Sequence, residues 1–248
     1  MGSQAHIMSR LQSAQGSRWL LVCLVSLGLA SCQTSPPPPV PQHETTPAPA
    51  VGAVPPGARE YRVVPAESLL QIFVFRGGAM ARLGHNHVIA SHQLTGPVYV
   101  TDDPFGTRFD LSVPVAELTV DEPALRAVAG PDFAAAVPEN ARQGTRKNLL
   151  SEALLDAEHF PSMRLRATDV RATGEIYDVG VEVTLKGLTY ALRVPVTVKR
   201  QDGAVVASGE FPLKQTELGL APFTVAMGAL VVLDDMKVRF DVTARAGS

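Results

Sequence analysis

Hydrophobic and polar residues alternate along most of the chain after Arg59, which is the period of a half-buried β-strand. The alternation is cleanest in segments 108–115, 177–185, 192–199 and 236–245. In the first of these, Phe109 and Leu111 lie on one face while Arg108 and Asp110 lie on the other. Several long amphipathic strands need one shared apolar interior. The pattern therefore predicts an all-β domain over residues 59–246.

Turn signals and one helical insertion complete this pattern. Asp202-Gly203 is a strong hairpin signal, and short connections of this kind indicate antiparallel neighbours. The alternation breaks between residues 122 and 161, where Pro138 can open a helix that runs to Leu150. We expect a second helical turn from Ser151. Many antiparallel strands with one insertion favour an up-and-down barrel or a sandwich, and periodicity does not decide between them.

Composition and charge exclude several classes of function. The 248 residues carry 22 Lys plus Arg against 24 Asp plus Glu, a net charge of −2 that gives no reason to expect a nucleic-acid partner. Cys23 and Cys32 are the only cysteines, so the sequence after residue 32 has no disulfide and no Cys-ligated zinc. No P-loop, nucleophile-elbow or paired-carboxylate pattern is present. We therefore do not expect an enzyme.

The first 58 residues are typical of an exported lipoprotein. Residues 1–31 hold basic residues, no acidic residue, and an apolar run too short to span a bilayer. The run ends in Leu-Ala-Ser before Cys32, which resembles the lipobox at which a signal peptide is removed and the cysteine acylated. An ordinary secretory signal with a chance cysteine is the alternative. Nine prolines in residues 33–57 favour an extended tether between Cys32 and the domain. Gln33 resembles the residue that sorts lipoproteins to the outer membrane.

Two histidines form a candidate polar site. If Gly84–Ser91 is a strand, His85 and His87 share one face and are spaced to chelate one metal ion. A metal or haem site would need a third ligand, such as Glu217 or Asp235. The alternative is that the two imidazoles hydrogen-bond loops or a ligand head group at the barrel mouth.

The segment 222–233 carries no charge and is too short to cross a bilayer. One interpretation is a flap or apolar strand that contacts a ligand through Phe223, Val225 and Met227. The other is a barrel strand that is buried on both sides. Gly228 is compatible with a bulge beside a cavity.

Residues 60–245 resemble the YceI-like family in the order and spacing of several motifs. These are Tyr61 to Ser68 with the following strand Ile72 to Phe75, Asn148 to Ser151, Leu155 to Pro161, Leu185 to Thr189, and Gln215 to Gly219. The resemblance implies an extended lipocalin-like, eight-stranded antiparallel barrel that holds a polyisoprenoid or fatty-acid-like ligand. Members are typically exported to the periplasm. The chain departs from the usual pattern at Arg76, where a histidine is common, and at Gly84-His85-Asn86-His87.

Three functions of different classes follow from these observations. The first is a lipid-anchored periplasmic protein that sequesters or carries a long apolar ligand. The second is a metal- or haem-binding protein using His85 and His87, and the third is a structural lipoprotein with a filled barrel. For the first, the candidate ligand-binding residues are Phe73, Phe75, Arg76, Phe109, Leu111, Phe211, Phe223, Met227 and Phe240.

Overall fold

The structure, a computed structural model, describes residues 54–201 and 203–247. These residues contain twelve β-strands and two α-helices. The strands are β1 (Arg59–Val63), β2 (Leu69–Gly77), β3 (His87–Ser91), β4 (Pro97–Val100), β5 (Arg108–Pro114), β6 (Thr119–Val120), β7 (Ser162–Thr173), β8 (Ile176–Leu185), β9 (Leu188–Gln201), β10 (Ala204–Lys214), β11 (Thr224–Val225) and β12 (Leu230–Ala246). The helices are α1 (Pro123–Ala127) and α2 (Glu139–Leu150). The predicted signal peptide, Cys32 and most of the tether lie outside the described residues.

Eight of these strands close into an antiparallel barrel, in the order β1, β4, β5, β7, β8, β9, β10 and β12, with β12 pairing back to β1. This confirms the predicted eight-stranded barrel. Three barrel strands are interrupted. The end of β12 pairs with β1 and the remainder pairs with β2, so that β1 and β2 lie end to end along one edge. In the same way, β3 continues β4 and β6 continues β5.

The helical insertion lies beside β6, where the hydrogen-bonded pairing of the barrel strands is not continued. β5 pairs with β7, whereas β6 pairs only with β3 among the described strands. Helix α2 packs against β6 at this end of the barrel. It begins after Pro138 and ends at Leu150, as predicted. No helix among the described residues is long and apolar enough to cross a membrane.

The predicted second helical turn from Ser151 is wrong. Residues 151–159 form successive non-helical turns, in which the Asp156 backbone N–H donates to the Ser151 carbonyl at 2.8 Å. Asp156 adopts a left-handed φ of 49°, which a continuing helix cannot accommodate. These turns direct Leu154 and Leu155 toward the barrel interior, where Leu155 is buried.

The segment 222–233 is also neither a single strand nor a strand buried on both sides. β11 and the start of β12 form a short hairpin, with Thr224 opposite Val231. Met227 and Gly228 form its turn with positive φ, and the side chain of Met227 is fully exposed. The ladder irregularity in this region falls on β12 between Val232 and Met236 rather than at Gly228.

Candidate functional site: a one-ended barrel cavity

A cavity of about 400 Å³ lies at the end of the barrel that carries β2, β3 and α2. Its volume falls in the range of about 300–1,000 Å³ that is typical of small-molecule sites. Most of its wall is aliphatic. Larger apolar members of the wall are Ile72, Val74, Ile89, Leu118, Leu149, Leu154, Leu155, Met163, Leu185, Leu218, Leu220, Phe223, Leu230, Val232 and Met236.

Strand β2 shows how the wall changes from apolar to polar. Ile72, Val74 and Arg76 alternate along β2 and all line the cavity, because alternate residues of a strand share one face. Val74 is buried, whereas Arg76, at the end of the strand, is exposed. The cavity is therefore apolar inside and polar at its mouth.

Arg76 is held at the mouth by the loop that follows β2. Its backbone N–H donates to the Asn86 side-chain oxygen at 2.9 Å, and its Nη1 donates to the Gly84 carbonyl at 2.5 Å. No ion-pair partner of Arg76 is present among the described residues. His85 lies in the same loop, and its ring centroid is 6.1 Å from that of His87.

A buried polar network fixes His87 in the cavity wall. The Nδ1 atom of His87 is 2.6 Å from Oδ2 of Asp121, and its Nε2 atom is 3.3 Å from Oγ1 of Thr145 on α2. Asp121 is 1% exposed, and its Oδ1 accepts from the Val88 backbone N–H and from Nη1 of Arg126. The carboxylate thus orients the imidazole with Nδ1–H toward Asp121, which leaves Nε2 to interact with Thr145.

Arg126 ties this network to the insertion. Besides Asp121, it donates to the backbone carbonyls of Asn86, Phe133 and Ala135 at 2.7–2.8 Å. The guanidinium is buried, and its charge is neutralised by the buried carboxylate. This charged pair lies within the segment after β6, and its two side chains attach that segment to Val88 of β3 and to Asn86, the residue before β3.

Two pKa shifts follow from these surroundings. Burial on its own would raise the pKa of Asp121, but hydrogen bonds from His87, the Val88 amide and Arg126 outweigh burial and hold this pKa below its usual value. Burial lowers the pKa of His85, and the neighbouring charges of His87, Arg126 and Arg76 lower it further. Both effects favour the neutral form of the His85 imidazole.

A family model described as the YceI-like domain matches residues 61–244. The chain belongs to the YceI-like family. Among solved structures, it is similar to Burkholderia cenocepacia BcnA, with a TM-score of 0.53 and 16% identity over 73% of this chain and 98% of that chain. It is also similar to a Campylobacter jejuni YceI protein, with a TM-score of 0.45 and 10% identity over 63% and 82% of the two chains. No curated protein matches significantly.

In this YceI-like barrel, four of the candidate residues, Arg76, His85, His87 and Phe223, line the cavity. The other candidate residues lie elsewhere. Phe109, Leu111, Phe211 and Phe240 pack in the main hydrophobic core, away from the cavity wall. Met227 points into solvent beside the mouth.

Phe73 and Phe75 occupy the opposite face of β2 from the cavity. Phe73 is completely buried in a second cluster with Val88 and Phe133, and its ring meets that of Phe133 edge-on at 5.4 Å. Nζ of Lys237 lies 4.8 Å above the Phe73 ring. This face is apolar because the segment that contains α1 covers it, and not because it faces a ligand.

The described residues do not provide the three-ligand metal site that the metal alternative requires. No group of three His, Cys, Asp or Glu side chains among the described residues is close enough to hold a metal ion. The proposed third ligand Glu217 instead accepts a hydrogen bond from the Lys214 backbone N–H, and Asp235 lies opposite Lys214 in the β10–β12 ladder. His92 is paired with Glu122 at 3.0 Å.

The sequence reading missed Asp121, Arg126 and Thr145. The sequence signal for Asp121 and Arg126 was an acidic residue directly after an apolar segment, with an arginine five residues later. Pro123, which opens a helix, lies between them. Nothing in the sequence pairs them with His87, which lies 34 residues before Asp121.

Proposed function

We propose that this protein is an exported, lipid-anchored binding protein that sequesters or carries a long apolar molecule in its barrel cavity. The observation that carries this proposal is the aliphatic cavity at one end of the barrel, open at a mouth that bears Arg76 and His85. Membership of the YceI-like family supports a binding role for an apolar ligand. The aliphatic character of this wall supports a polyisoprenoid or fatty-acid-like chain as the ligand.

Burial of the chain supplies the binding energy. Each methylene group removed from water contributes about 0.8 kcal/mol, so that roughly ten methylene groups supply about 8 kcal/mol before the costs of association. The cavity wall is dominated by aliphatic side chains, and no carboxylate is among the described residues that form it. Such a site binds through apolar contact and needs no catalytic group.

The edge of the mouth favours ligand exchange with a membrane. Leu83 and Val225 both line the cavity and are exposed, at 62% and 41% respectively. A lipid that leaves a bilayer beside such an edge remains in contact with apolar side chains as it enters. This supports a carrier role near a membrane.

The proposed location rests on the sequence before the barrel. The lipobox at Cys32 and the proline-rich tether support an acylated anchor at the periplasmic side of the cell envelope. The residue after the cysteine, Gln33, supports a location at the outer membrane. Metabolic labelling with radioactive palmitate tests the anchor, because the wild-type chain should incorporate label and Cys32→Ala should not. Label in Cys32→Ala, or none in the wild type, would contradict the anchor without affecting the cavity.

A matched pair of substitutions tests the cavity. Leu154 lines it, whereas the half-buried Leu150 packs against the core without reaching it. We expect Leu154→Trp to abolish binding of a fluorescent fatty-acid-like probe and Leu150→Trp to retain it, with both proteins folded by circular dichroism. Equal probe affinity in the two variants would refute the assignment of this cavity as the ligand site.

A further inference from the structure

We propose that the ligand of this barrel ends in an anionic head group, a carboxylate or a phosphate, which Arg76 binds at the mouth of the cavity. This inference rests on the proposed function and deepens it. A neutral quinone, alcohol or hydrocarbon would not need a cation at this position.

The charge balance of the cavity is the first observation. Of the described residues that line it, Arg76 is the only one with a permanent charge, and none is Asp or Glu. The buried carboxylate of Asp121 is paired with His87, which lines the cavity, and is already neutralised by Arg126. The mouth is therefore positive, and no lining residue compensates its charge.

The hydrogen-bonding capacity of Arg76 is the second observation. A guanidinium group has five N–H donors, and among the described residues the side chain uses one, through Nη1, on the Gly84 carbonyl. That bond fixes the side chain at the mouth and leaves the others available. A planar guanidinium can donate two parallel hydrogen bonds to a carboxylate or phosphate.

His85 adds a second donor beside Arg76. The imidazole lines the cavity and forms no hydrogen bond with the described residues, although its ring faces that of His87. Arg76 and His85 thus present donors at the mouth, while Ile72 and Val74 continue the β2 wall inward. Along β2, the apolar residues thus lie inside the cavity and the cationic residue lies at its mouth. This order matches a ligand whose apolar tail is buried and whose head group is anionic.

Two pairs of ligands that differ only in the head group test this proposal. Every ladder pair of the barrel lies within residues 59–246, so a protein beginning at residue 54 contains the complete ring. Binding of dodecanoate and dodecanol, and of farnesyl phosphate and farnesol, would be measured below their critical micelle concentrations. We expect the anionic member of at least one pair to bind about tenfold more tightly, which is the lower range for charge-assisted hydrogen bonds. The pair with the larger ratio identifies carboxylate or phosphate.

Substitutions assign the preference to one side chain. Arg76→Met should reduce the ratio to near unity, and Arg76→Lys should restore part of it. Arg82→Met is the matched control, because Arg82 is exposed in the same loop but does not line the cavity. This variant should keep the wild-type ratio.

Three results would overturn the inference. Alcohols that bind the wild type as tightly as the anions would remove the need for a charged head, while leaving the apolar carrier intact. An equal loss in Arg82→Met and Arg76→Met would indicate general electrostatic attraction rather than a site at Arg76. If no member of either pair binds, the proposed function itself fails.

Discussion

The buried pair of Asp121 and Arg126 offers the sharpest test of how the insertion is attached to the barrel. Replacing Arg126 with Met keeps the apolar stem but removes every hydrogen bond of the guanidinium. Its partners are the Asp121 carboxylate and the carbonyls of Asn86, Phe133 and Ala135. The change leaves a carboxylate that is 1% exposed with only His87 and the Val88 backbone N–H as partners.

The expected cost follows from this burial. Removing one partner of a buried ion pair typically destabilises a protein by about 3–5 kcal/mol. With an m-value of about 2 kcal/mol per molar urea, the unfolding midpoint should fall by ~2 M. Arg62→Met is the matched control, because Arg62 pairs with Glu60 at 2.7 Å with both side chains well exposed. An exposed pair of this kind contributes about 0–1 kcal/mol.

The dependence on pH gives a second readout of the same change. The folded-state pKa of Asp121 is lowered, so its contribution to stability is present above the ordinary value of 3.8 and lost as the pH falls through the folded pKa. Without Arg126 this pKa should rise, and the stability deficit of the variant should be larger at pH 7 than at pH 4. Urea unfolding at the two pH values measures the deficit. A midpoint shift no larger than that of Arg62→Met, or a deficit independent of pH, would show that Arg126 does not stabilise the buried Asp121 carboxylate.

Three further predictions concern other parts of the barrel. Phe133→Ala should lower the free energy of unfolding by about 3–5 kcal/mol while probe affinity is retained, because its ring packs outside the barrel; a loss of probe binding in a folded variant would contradict this. The barrel domain has no tryptophan of its own, so a tryptophan introduced there can be followed by its fluorescence. Emission from Phe223→Trp should respond to a bound ligand, whereas emission from Phe109→Trp, in the hydrophobic core, should not. The opposite response would contradict the assignment of the cavity as the ligand site. The hydrogen bond to Asp156 raises the pKa of His159, so this imidazole should titrate above 6.5 by NMR. The protonated imidazole should stabilise the fold below pH 6.5, and this stabilisation should be lost as the pH rises through the folded-state pKa. An unchanged titration in Asp156→Asn would show that Asp156 does not raise this pKa.

The strand period and the turn signals predicted an antiparallel all-β domain, and the order of motifs that resembles the YceI-like family predicted a barrel rather than a sandwich. Which face of β2 points into the barrel was not predictable from the sequence. Ile72 and Val74 alternate with Phe73 and Phe75, so both faces are apolar and the pattern carries no sign of which faces the interior. The aromatic face is buried by the segment around Phe133, which lies about 60 residues further along the chain.

The candidate site was predictable in part for the same physical reason. Arg76, His85 and His87 are unusual polar residues beside apolar strand positions, and their place at a barrel mouth followed from the pattern. Their partners did not follow, since Asp121 and Thr145 reach His87 through tertiary contacts that no local period encodes. The empty volume beside them depends on the packing of many strands at once.

Native mass spectrometry of the barrel domain, purified from its own host without metal-affinity resin, shows directly whether the cavity carries an apolar molecule. The proposed carrier function predicts a discrete excess mass that extracts into organic solvent on denaturation and is absent from Leu154→Trp. An excess mass that matches a metal ion or haem and is lost in His85→Ala would contradict it. So would a bare polypeptide mass that persists when the apo-protein is incubated with lipids extracted from that host.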